Sequence, residues 1–84
     1  MRNFETLDLY LTTFLSFHDC KPQLKINNSG RVIFCFPDSE NLYTLLRNYN
    51  SNEPVPVMDF VTELKNLRGR MMQLRGLSNE RQKR

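Results

Sequence analysis

Apolar residues recur at helical spacing in three stretches of the chain and at strand spacing in two. Between Phe4 and His18, the residues Leu7, Tyr10, Leu11, Phe14, Leu15 and then Phe17 or His18 follow a 3.6-residue period. This predicts a first helix over 4–18, with Thr6 as its N-cap and Asp8 in the first turn, where a negative charge suits the helix dipole. Asp19-Cys20-Lys21-Pro22 ends it, because a proline disfavours helical backbone in the residue before it. From Gln23 to Asn27 the pattern alternates, Leu24 and Ile26 against Gln23, Lys25 and Asn27, as in a half-buried strand. Asn27-Asn28-Ser29-Gly30 is a turn signal, and Arg31 to Phe36 follows as a second strand, so 23–36 is predicted to be a β-hairpin.

The second strand is apolar on both faces, Val32, Phe34 and Phe36 on one and Ile33 and Cys35 on the other. Such a strand needs cover on both sides, and an isolated hairpin is only marginally stable. Helices on both faces would supply the cover, and so would pairing of the strand edge with a second copy across a twofold axis. The second arrangement predicts a homodimer with Val32, Ile33, Phe34, Cys35 and Phe36 at its interface.

Pro37-Asp38-Ser39-Glu40 opens a second helix, with Asp38 or Ser39 as N-cap and Leu42, Leu45, Leu46 and Tyr49 as its apolar stripe. Asn48 to Pro56 is a polar loop punctuated by proline. A third helix begins near Val57 or Met58. Its residues Val57, Phe60, Leu64, Leu67, Met71 and Leu74 alternate steps of three and four, which reads first as a core-facing helix and second as a short coiled-coil seam. Gly76 is a natural stop. The expected architecture is therefore α+β in the order α-β-β-α-α, a hairpin packed with three helices. It forms one small domain over 1–77, followed by a basic, disordered tail over 78–84.

Composition narrows the function classes. The chain has 84 residues, 39% of them hydrophobic, enough for a thin core. No positively charged segment leads into an apolar run at the N-terminus, and no apolar run reaches membrane-spanning length, so the default location is cytoplasmic. Cys20 and Cys35 are then expected to be reduced. His18, Cys20 and Cys35 make three soft ligands where a structural zinc site wants four, so neither metal nor cofactor is expected. One histidine without a partner, acids confined to helix starts and exposed helical positions, and no phosphate loop nominate no enzyme.

The charge pattern changes this picture most. Residues 1–64 carry five Lys/Arg against eight Asp/Glu, whereas residues 65–84 carry seven Lys/Arg against one acid, Glu80. Lys65, Arg68, Arg70, Arg75, Arg81, Lys83 and Arg84 form a cationic arm suited to displacing counterions from phosphates, on DNA or RNA alike. Arg68 and Arg75 flank the apolar stripe on one side and Arg70 on the other. Residues 31–74 follow the strand-helix-helix order of ribbon-helix-helix repressors, but Ile33 and Cys35 stand where that fold presents polar base-reading residues. The alternative partner is a protein, met through the hairpin edge or the third helix.

Thr6-x-Asp8-Leu9, Arg31-Val32-x-Phe34-x-Phe36, Val57-x-x-Phe60 and Leu67-Arg68 together resemble a family of small uncharacterised domains of bacteria and mobile elements, over about residues 4–74. That resemblance implies a self-contained intracellular domain and assigns no activity. The residues themselves point to a small nucleic-acid-binding protein whose basic C-terminal helix and tail contact the phosphate backbone.

Overall fold

A computed structural model describes residues 3–82 of the chain, the last six of these as backbone. The elements run β1 (Asn3–Thr6), α1 (Leu9–Phe17), β2 (Gln23–Ile26), β3 (Val32–Pro37), α2 (Glu40–Asn50) and α3 (Val57–Gln82). The architecture is α+β, with one strand more than the hydrophobic pattern predicts. Residues 3–6 are a strand and not the start of a helix: Phe4 and Thr6 turn inward while Asn3 and Glu5 stay exposed. Thr6 accordingly does not cap α1. Its Oγ1 accepts from the Asp8 N–H, and Asp8 is the N-cap, its Oδ1 accepting from the Tyr10 and Leu11 N–H groups at 3.0 and 3.1 Å. Of the two candidates for the α2 cap, Ser39 serves, accepting from the Leu42 N–H at 3.1 Å.

Helices α1 and α2 end in the same way. Asp19 N–H donates to the Ser16 carbonyl and Cys20 N–H to the Leu15 carbonyl; Asn52 N–H donates to Tyr49 and Glu53 N–H to Asn48. These paired bonds form Schellman motifs, whose pivot residue is left-handed and usually glycine. Here the pivots are Asp19 at φ 65° and Asn52 at φ 64°. Aspartate is strained in that region. Asp19→Gly is therefore expected to add up to about 1 kcal/mol of stability, raising the melting temperature by about 4–8 °C in a thermal melt followed by circular dichroism. An unchanged or lower melting temperature would show that the Asp19 backbone is not strained.

The sheet order is β1-β3-β2, antiparallel throughout. The β2–β3 turn is a three-residue loop: Gly30 N–H donates to the Asn27 carbonyl, Asn27 N–H to the Arg31 carbonyl, and Gly30 takes φ 79°. Phe4, Leu24, Ile26, Val32, Phe34 and Phe36 line the inner face, where they meet Phe14 and Leu15 of α1, Leu42 and Leu45 of α2, and Phe60, Met71 and Leu74 of α3.

Two expectations about β3 are corrected by this topology. Thr6 pairs with Phe34 and Phe4 with Phe36, so β1 occupies the edge of β3 that the sequence left for a second copy. Val32, Phe34 and Phe36 are spent in the core of one chain, and Ile33 and Cys35 pair with Lys25 and Gln23 of β2. Among the described residues no second layer of helices covers the outer face. Cys35 is only 5% exposed there because it sits among side chains of the flanking strands. Its thiol donates to Glu5 Oε2 at 3.6 Å, and Lys25 Nζ lies 3.4 Å from the same oxygen. Finally, α3 does not stop at Gly76 but runs through it to Gln82, so residues 78–82 are helical backbone and only Lys83 and Arg84 of the expected tail lie outside the described residues.

Candidate nucleic-acid interface

The face that α3 offers to a partner is fixed by the face it buries. Leu67 is fully buried and Phe60, Leu64, Met71 and Leu74 are half-buried. The a/d stripe thus docks on its own chain, apart from Val57, which is 71% exposed. A polar contact adds to this docking. Ser16, buried on α1, donates its hydroxyl to the Glu63 carboxylate of α3. Lys21 Nζ lies 2.9 Å from the Ser16 carbonyl oxygen and 3.4 Å from Glu63 Oε2.

With that face inward, Lys65, Arg68, Arg70 and Arg75 are all exposed. At 100° per residue, Lys65, Arg68 and Arg75 share a band about 80° wide, spanning about 15 Å along the axis. Met72 lies in the same band and is exposed. The acids of α3, Asp59 and Glu63, project from other faces. Among the described residues the ion pairs are His18–Glu53, Lys21–Glu63 and Lys25–Glu5, so no basic residue of α3 is neutralised by a described acid.

Arg70 is set apart. It projects from the opposite flank and lines a groove against Pro22, Gln23 and Leu24. Of the seven basic residues that the sequence groups together, the structure therefore brings three onto one face and puts a fourth elsewhere. Arg81 lies on the last turn of α3, described as backbone only, and Lys83 and Arg84 lie outside the described residues.

The remaining chemistry-bearing side chains are built into the structure. His18 packs against the rings of Phe14 and Phe17 at centroid distances of 4.7 and 5.1 Å. Its Nε2 is buried and makes no hydrogen bond; Glu53 Oε2 is 3.3 Å away but misaligned for one. Among the described residues no three His, Cys, Asp or Glu are placed to hold a metal ion, and no helix is long and apolar enough to cross a membrane.

Cys20 and Cys35 are free thiols. Burial pushes both above the ordinary 9.0 and pushes the Tyr49 hydroxyl above its ordinary 10.0. At Cys35 the Lys25 charge opposes that rise, while Glu5 adds to it. In each case the folded chain holds its proton to higher pH than the unfolded chain. The stability this contributes is complete below about pH 9 and is lost as pH rises through the folded values. The melting temperature is expected to fall as pH rises above about 9, and Cys35→Ala is expected to flatten that fall. An equal slope in the variant would remove Cys35 from the account.

The chain belongs to the family described as Domain of unknown function (DUF5659), whose model matches residues 1–73. The match ends within α3, so Lys65, Arg68 and Arg70 lie inside it and Arg75 beyond it. No curated protein and no solved structure shows significant similarity to the chain.

Proposed function

We propose that the protein binds the phosphate backbone of a nucleic acid along the outer face of α3. The observation that supports this most is the band of Lys65, Arg68 and Arg75, exposed and without an acidic partner among the described residues. Three cations spaced over about 15 Å of a rigid helix meet phosphates with no further cost in backbone ordering. No aromatic residue lies on that face, so affinity comes from charge and not from stacking on bases. In this reading the protein works in the cytoplasm, where Cys20 and Cys35 stay reduced.

Fluorescence-anisotropy titrations of the full chain with labelled duplex DNA and single-stranded RNA test the reading. Three phosphate contacts give log K against log salt a slope of about −2.7 on a duplex and about −2.1 on a single strand. Contacts from Arg81, Lys83 and Arg84 would steepen it. Arg68→Gln and Arg75→Gln are each expected to reduce the slope by about one, whatever the oligonucleotide sequence. Absence of binding at low salt, or slopes unmoved by both substitutions, would refute the assignment.

A further inference from the structure

We infer that the free edge of β2, roofed by α3, accepts an extended acidic segment of another protein as a fourth strand, with Arg70 holding its carboxylates. The edge follows from the register. Asn27 and Arg31 form the hydrogen-bonded pair that closes the hairpin. By alternation, Lys25 and Gln23 direct their backbone groups at β3, while Leu24 and Ile26 direct theirs to the opposite side. Among the described residues no strand occupies that side, since the sheet ends at β2.

Beside this edge lies an open groove of about 440 Å³, lined by Pro22, Gln23, Leu24, Arg70, Gln73 and Leu74. Leu24 and Leu74 are only half-buried, so the groove offers an incoming strand apolar cover as well as a ladder. Addition of a strand to such an edge draws affinity from main-chain bonds and selectivity from alternate side chains. The charge favours an acidic occupant. Lys21 is neutralised by Glu63, whereas Arg70 and Gln73 have no partner among the described residues. A carboxylate on the strand's helix-facing side would find both donors.

A second copy of this chain is a poorer occupant. Twofold pairing of β2 with itself would bring no carboxylate to Arg70, because β2 carries none. The other free edge, β1, offers Glu5, which Lys25 already holds.

This site is independent of the nucleic-acid reading, because Arg70 stands on the other flank of α3. The test is an amide NMR titration of the full chain with a short blocked peptide alternating glutamate and valine. Its lysine-for-glutamate counterpart and a version N-methylated at every backbone nitrogen serve as controls. Shifts at the Leu24 and Ile26 amides, loss of binding by both control peptides, and about tenfold weaker binding in Arg70→Gln would support the proposal. No shift at those amides at millimolar peptide would overturn it. So would shifts confined to Lys65, Arg68 and Arg75, or a dimer in sedimentation that breaks when the β2 edge is altered.

Discussion

Phe34→Ala is expected to leave the chain at best marginally folded at room temperature. The ring is 0% exposed, at the middle of the central strand, flanked by Thr6 on one neighbour and Leu24 on the other. It is also part of the cluster that joins the sheet to α1 and α2. Emptying such a position costs about 3–5 kcal/mol in lost burial and cavity formation. A domain has about 5–15 kcal/mol in total, and one this small sits near the lower end. Urea titration followed by circular dichroism measures the loss. Tyr10→Ala, at an exposed position of α1, is the control, expected to change stability by less than about 0.5 kcal/mol. Similar midpoints for the two variants would mean that Phe34 is not where the core is centred.

The second large effect is expected at Glu63. Its removal leaves the buried Ser16 hydroxyl without the acceptor it donates to and Lys21 without its counter-charge. Glu63→Ala is expected to cost about 1–3 kcal/mol, and Glu63→Gln less, because the amide oxygen can still accept from Ser16. A double-mutant cycle with Ser16→Ala separates the contact from general damage to the helix. Coupling of about 0.5–3 kcal/mol is expected. If the two losses simply add, the two residues stabilise the fold independently. Because the apolar stripe sets the rotation of α3, the triple exchange Ser16→Ala, Lys21→Ala, Glu63→Ala is expected to lower stability without redirecting Lys65, Arg68 and Arg75.

These two sites differ in how readable they are. Phe34 announces itself, since a run rich in β-branched and aromatic residues after the Asn27-Asn28-Ser29-Gly30 turn is a strand with a buried face. The stripe of α3 is equally plain, and with it the outward band of Lys65, Arg68 and Arg75, because helical period fixes both at once. The Ser16–Glu63 contact joins residues 47 positions apart; no local pattern holds it. β1 was hidden for a different reason. Four residues give two alternations, too few to outweigh the accidental helical spacing of Phe4 and Leu7. Gly76 misleads because a glycine ends a helix only when the backbone there turns left-handed, and a Cβ at Gly76 would meet nothing within 4 Å. Helical period also sets Arg70 on the opposite flank, but Pro22 and Gln23 come beside it only through the fold.

The short first strand has a consequence for handling the protein. Among the described residues β1 alone covers one side of β3, and it is only four residues long. A chain stripped of it would expose an unpaired edge of β3, whose first five residues, VIFCF, are rich in β-formers and free of charge. That is the kind of template on which identical chains stack into fibrils. The four residues of β1 therefore shield that edge from other copies of the chain.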